Sequence, residues 1–113
     1  MANLEFNKND DNMRLSISEM KRRHVKICLG GGKKKMERQH SKGKLTARER
    51  IEYLKDKDAE FLEIGAFVGY EMYEEYGGCP SGGVVSGITY VKNRQCIIVA
   101  NDATVKAGAW FPI

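Results

Sequence analysis

Val84 to Gly108 reads VVSGITYVKNRQCIIVANDATVKAG, and its interpretation decides the fold. Val84–Val91 and Gln95–Ala100 are runs rich in β-branched residues, and Lys92-Asn93-Arg94 between them has turn chemistry, so the stretch predicts a β-hairpin. Asn101-Asp102-Ala103-Thr104 then carries the chain out of the strand into a loop. Just upstream, Gly77 to Gly83 has the composition of a loop. Phe61-Leu62-Glu63-Ile64 predicts a short strand, which Ala66-Phe67-Val68 would extend past Gly65.

The first half of the chain is helical in pattern. Met13, Ile17, Met20, His24 and Ile27 recur at helical spacing and predict one apolar stripe on a helix of about 18 residues. Asp10 and Asp11 would lie at its start and Lys21, Arg22, Arg23 and Lys26 near its end, in accord with the helix dipole. His24 falls on the stripe, which favours a packed neutral imidazole over a ligand. Gly30-Gly31-Gly32 stops the helix. Lys33–Gln39 predicts a short basic helix that ends near Gly43. Thr46-Ala47-Arg48-Glu49 is a capping box, opening a third helix with Ile51 and Leu54 on its buried side. Helices first and strands after them predict a helical lead-in over residues 1–56 and the start of an α/β core over residues 57–113.

Charge is unevenly distributed. The chain carries +4 overall, but residues 21–50 hold twelve basic and two acidic side chains. Such a block suits an anionic partner, or a solvated face. A small basic nucleic-acid-binding protein is therefore one reading. Against it, residues 21–50 contain no Phe, Tyr or Trp on which a base could stack. No Walker A loop is present, because Gly43-Lys44 is followed by Leu45 and the earlier glycine position is Arg38. Gly82-Gly83-Val84-Val85-Ser86-Gly87 runs into a strand where a dinucleotide loop needs a helix. His24 and His40 lack metal-ligand spacing, so no metal is expected. The longest apolar run by the strands, Cys96–Ala100, is far too short to span a bilayer. MANLEFNKNDDN shows no targeting pattern. Cys28, Cys79 and Cys96 are widely spaced and predict free thiols in a reducing cytoplasm. The aromatic close of the chain, AGAWFPI, predicts a cut inside a domain.

Three stretches, taken together, carry a resemblance. Residues 30–54 (GGGKKKMERQHSKGKLTARERIEYL), 61–88 (FLEIGAFVGYEMYEEYGGCPSGGVVSGI) and 96–113 (CIIVANDATVKAGAWFPI) resemble the beginning of a carboxyltransferase (β-type) subunit of a biotin-dependent acyl-CoA carboxylase. The likeness runs from about Arg14 to Ile113, and ANDATVKAG is most similar to the methylcrotonyl-CoA carboxylase branch. Lys33-Lys34-Lys35 is more basic than that pattern, and the chain lacks the four-cysteine zinc ribbon of the separate bacterial acetyl-CoA carboxylase β subunits.

The resemblance implies a crotonase-like α/β fold built of ββα units. It implies transfer of a carboxyl group from carboxybiotin to an acyl- or enoyl-CoA, with 3-methylcrotonyl-CoA or, alternatively, propionyl-CoA or another acyl-CoA as acceptor. Backbone oxyanion holes would do the chemistry, and these are expected beyond Ile113, leaving no catalytic residue in the chain. Biotin would be carried by a biotin carboxylase or carrier partner rather than bound here, and the β subunits would form a ring-like hexamer. Fold-level analogy places the CoA thioester along Asp102–Gly108. There Lys106 would pair with a phosphate, and Ala103, Ala107 and Gly108 would let the backbone approach the adenine.

Overall fold

The computed structural model describes residues 3–113. Met1 and Ala2, where the expected lead-in begins, lie outside the described residues. Helices α1 (Asn3–Ile27), α2 (Lys33–Ser41) and α3 (Ala47–Leu54) precede strands β1 (Leu62–Ile64), β2 (Val84–Val91) and β3 (Arg94–Asn101). The strands form one antiparallel sheet in the order β1-β2-β3, with Leu62 opposite Ile88 and Ile88 opposite Ile97.

The hairpin is where the sequence placed it, but its turn is shorter. Arg94 already pairs with Val91 in the ladder, leaving Lys92 and Asn93 as a two-residue loop. Both have positive φ, 49° and 63°, as a turn matched to right-handed strand twist requires. Asp56 holds them there: its carboxylate accepts the Lys92 amide at 2.6 Å and the Asn93 amide at 2.8 Å.

One face of the sheet is covered by α3. Ala47 and Ile51 meet Val85, and Phe61, Ile98 and Ala100 close around them. Gly87 is required at this face, since a Cβ there would meet the Phe61 ring at 2.6 Å and collide with the Leu62 carbonyl. Leu54 does not join the core but is half-exposed at 50%. The helix ends there, and the Lys55 backbone that follows is extended. Capping is as expected: Thr46 N–H donates to Glu49 Oε2 at 2.7 Å and Glu49 N–H to Thr46 Oγ1 at 3.3 Å. The strand does not continue past Gly65, whose φ of 76° diverts Ala66–Val68 into a turn.

The opposite face of the sheet is bare. Leu62, Ile64, Tyr90, Ile97 and Val99 are between 47% and 77% exposed. With β3 also an open edge, the face is a template for self-association. The 113-residue chain is expected to elute as oligomers or aggregate in light-scattering chromatography, and Ile97→Lys with Val99→Lys should restore a smaller species. A cooperative, monomeric thermal transition of the unaltered chain would contradict this.

Helix α1 is longer than the expected 18 residues, at 25. No glycine or proline interrupts Asn3–Asn12, so the helix extends upstream and Asp10 and Asp11 lie well inside it. Asp10 pairs with Arg14 one turn on, at 2.8 Å. The apolar stripe is not buried along its length: Met13, Ile17 and Met20 are exposed, and only Ile27 is fully covered. His24 is correspondingly half-exposed rather than packed in the core. Its Nε2 lies 3.5 Å from Glu63 Oε2. Helix α2 runs to Ser41, and Gly43 follows at φ 70°. The three cysteines are free thiols, and among the described residues no helix is long and apolar enough to cross a membrane.

Candidate functional site

The loop after β3 is fixed from inside. Val105 and Thr104 are buried, and Thr104 donates its hydroxyl to Asp102 Oδ1 at 2.6 Å while its amide bonds the same oxygen at 2.9 Å. The Thr104 hydroxyl in turn accepts the Gly31 amide at 2.9 Å. The glycine run after α1 is therefore more than a helix stop. A Cβ on Gly31 would overlap the Thr104 carbonyl, and one on Gly30 would lie 2.6 Å from Asp102 Oδ2, so only glycine lets these segments meet.

Against this loop stands the segment that leads into α3. Arg50 donates to the Asn101 carbonyl at 2.8 Å, and Asn101 Nδ2 donates to the Gly108 carbonyl at 3.2 Å. Between the two segments is an open groove of about 610 Å³. Ala103, Ala107 and Gly108 line it, together with Lys44, Leu45 and Arg50. Lys106 does not. It belongs to a tight turn, Lys106–Gly108, with its Nζ 4.5 Å from the Phe111 ring centroid and 3.3 Å from the Trp110 carbonyl. Phe111 is itself stacked on Tyr73 at 4.4 Å. Of the residues expected to line a ligand, three meet in one groove and the expected cation faces an aromatic cluster.

A second polar cluster ties the helices to the sheet. Arg48 grips Glu63 with two hydrogen bonds, of 2.7 and 2.8 Å, and Cys28 Sγ lies 3.8 Å from the His24 ring nitrogens. Cys28, His24 and Glu63 have the residue types of a nucleophile, base and acid, but not the electrostatics. Burial pushes the Cys28 thiol up, more than the Arg48 charge lowers it. Burial also pushes Glu63 up, but the Arg48 hydrogen bonds and charge, with help from His24, outweigh it and hold the carboxylate below its usual range. Glu63 is thus committed to Arg48, and the cluster is structural.

Asp102, Thr104 and Arg50 were not singled out by the sequence. The spacing Asp102-Ala103-Thr104 does contain the signal of an Asx turn, a side-chain oxygen meeting the amide two residues on. The contact of Arg50 with Asn101, between segments distant in sequence, has no such local sign.

The chain is similar to the hexameric transcarboxylase 12S solved with methylmalonyl-coenzyme A, with a TM-score of 0.76 and 33% identity, covering 86% of this chain and 19% of that one. It is likewise similar to the P. aeruginosa geranyl-CoA carboxylase β subunit, with a TM-score of 0.72 and 25% identity over 91% of this chain and 19% of that one. With these structural neighbours, the α/β crotonase-like class read from the sequence stands. The chain belongs to the carboxyl transferase domain family, whose model matches residues 38–113. The probable methylcrotonoyl-CoA carboxylase beta chain of Drosophila melanogaster is 43% identical over 109 residues, 96% of this chain. The chain spans about a fifth of the length of that relative (19%).

Proposed function

We propose that the complete protein is the carboxyltransferase subunit of a biotin-dependent acyl-CoA carboxylase acting on 3-methylcrotonyl-CoA. The observation that carries this reading is the loop Asp102–Gly108, anchored through Thr104 to Gly31 and presenting Ala103, Ala107 and Gly108 to an open groove. That loop is the ANDATVKAG segment on which the likeness to the methylcrotonyl branch rests. Residues 57–113 would begin the carboxyltransferase domain and residues 1–56 would be its helical lead-in.

In this reading the chain's own task is substrate placement. Small side chains at Ala103, Ala107 and Gly108 let a flat base approach the backbone. Lys106, with ammonium hydrogens left over after the Trp110 carbonyl, meets the CoA diphosphate from the other side of the turn. A biotin-carrying partner supplies the carboxyl group, and the chemistry is done by segments beyond Ile113. A homo-oligomer, and a compartment that keeps Cys28, Cys79 and Cys96 reduced, such as the cytoplasm, complete the picture.

Lys106→Ala in the complete enzyme is expected to raise KM for the CoA thioester about three- to tenfold, the scale of one partly exposed charge contact. An unchanged KM would remove Lys106 from the site. The acceptor is tested by kcat/KM for 3-methylcrotonyl-CoA against propionyl-CoA. A clear preference for propionyl-CoA would move the protein to another branch of the family.

A further inference from the structure

We infer that α1 is an assembly element, whose uncovered apolar stripe pairs antiparallel with the same stripe on a second copy of this chain. Phe6 of each copy then lies beside Met20 of the other. This gives the homo-oligomer named above one of its surfaces, and it is independent of the carboxyltransferase chemistry.

Pattern is the first argument. Phe6, Met13, Ile17, Met20, His24 and Ile27 share one face of α1, at the spacing of a two-helix seam carried from Phe6 to Ile27. The body of the fold covers only the end of that seam. Ile27 is buried, and His24 stands 3.5 Å from Glu63 and 6.3 Å, ring to ring, from Phe67. Phe6, Met13, Ile17 and Met20 are 69%, 61%, 40% and 49% exposed. An apolar strip of that length on a soluble helix marks a contact surface. A second α1 laid antiparallel, with its Phe6 at Met20, has its Asn3 at Arg23, just short of the covered His24. It therefore spans the open stripe and stops where the fold begins. The cleft beside Met20, Arg23 and Phe67, about 470 Å³, receives the incoming Phe6.

Charge is the second argument, and it selects the occupant. Asn3–Asn12 carries Lys8 against Glu5, Asp10 and Asp11, whereas Met13–Ile27 carries Arg14, Lys21, Arg22, Arg23 and Lys26 against Glu19. An antiparallel copy sets an acidic half on a basic half at both ends, as a two-fold contact does. A parallel copy would set like on like, and a wholly acidic helix would match one half only. In the antiparallel register Glu5 lies beside Arg23 of the second copy, and Asp10 beside its Arg14. Arg14 and Arg23 each bond a carboxylate of their own helix at 2.8 Å, through Nε, and their forks keep further donors for a second one. Met13 falls on the two-fold axis, where two unbranched side chains adapt to each other.

The test is disulfide trapping in the complete protein, with mass-spectrometric mapping to separate new links from those of Cys28, Cys79 and Cys96. Met13→Cys is expected to link two copies under mild oxidation, whereas Leu15→Cys, on the opposite face of α1, should not. Phe6→Cys and Met20→Cys proteins, coexpressed, should link to each other and not to themselves. Glu5→Arg should lower the Met13→Cys yield about two- to fivefold, the scale of an exposed charge pair, and adding Arg23→Glu should restore it. No link in Met13→Cys protein, or equal linking in Leu15→Cys protein, would overturn the inference. So would a Phe6→Cys link to itself, which means a parallel pair. A Met13→Cys link to a biotin-carrying subunit, or to a segment beyond Ile113, would also overturn it by giving the stripe another occupant. Linking is read without turnover. A protein that carboxylates nothing can therefore still uphold the contact, and an active enzyme without the link refutes the contact alone.

Discussion

Gly31→Ala is expected to destabilise the fold by about 3 kcal/mol or more, the range of substitutions that force backbone apart. The cause is local and steric. A methyl group at Gly31 would occupy the place of the Thr104 carbonyl oxygen, with the Lys35 side chain 2.9 Å away on another side. Lys35 can swing aside, but the carbonyl cannot, because Thr104 is 3% exposed and held by Asp102. Moving it also breaks the bond from the Gly31 amide to the Thr104 hydroxyl. Gly32→Ala is the control: nothing lies within 4 Å of a Cβ there, although its φ of 105° still disfavours a side chain. The midpoint of urea unfolding measures the difference. A Gly31→Ala midpoint equal to that of Gly32→Ala would show that the close approach to Thr104 does not hold the loop.

Breaking the Arg48–Glu63 pair is the second large effect. Arg48 and Glu63 side chains are 26% and 12% exposed, so removing one leaves the other charge largely shielded from water. Arg48→Met is expected to cost about 3 kcal/mol, near the lower end for a buried pair deprived of one member. Glu63→Gln should cost less, since the amide still accepts from Arg48. Restoring hydrophobic balance with Arg48→Met and Glu63→Leu together should recover part of the loss. Acid reports on the same pair. The folded Glu63 carboxyl is held below its ordinary value, so it contributes stability that is present above the unfolded value of about 4.3. That stability is lost as pH falls through the folded value. The unfolding midpoint should therefore drop from about pH 5 downward, and Glu63→Gln should flatten the drop. An identical acid profile in Glu63→Gln would mean that Glu63 is not the group responsible.

How much could be read from the residues follows from the range of the forces. The capping box at Thr46, the hairpin and the free thiols are local or compositional, and the structure carries each of them. Boundaries failed where a local rule had a close competitor. Arg94 looked like turn chemistry, yet two positive-φ residues pinned by the distant Asp56 suffice to reverse the chain. Helix α1 was placed by its apolar stripe, but nothing upstream stops it, and the stripe is largely uncovered in this chain. Leu54 and His24 fell on apolar faces that have little packed against them.

The groove was half legible. Ala103, Ala107 and Gly108 were named from the loop, and they do line one opening. Its cations were not. Fold-level analogy points to Lys106 in the loop itself, whereas the tertiary fold brings Lys44 and Arg50 to the groove from more than fifty residues upstream. The basic block around them had only its charge to read, and charge alone does not say which lysine meets a neighbour. The docking role of Gly31 was equally hidden, because a glycine needed for close approach looks like a glycine that ends a helix.

Transfer of a labelled carboxyl group from carboxybiotin to 3-methylcrotonyl-CoA by the complete, purified protein is the most direct measurement of the central claim. Label recovered in the CoA thioester, and diminished in Gly31→Ala protein that is still folded, is the predicted result. A folded complete protein that labels none of the acyl- or enoyl-CoA thioesters offered would contradict it.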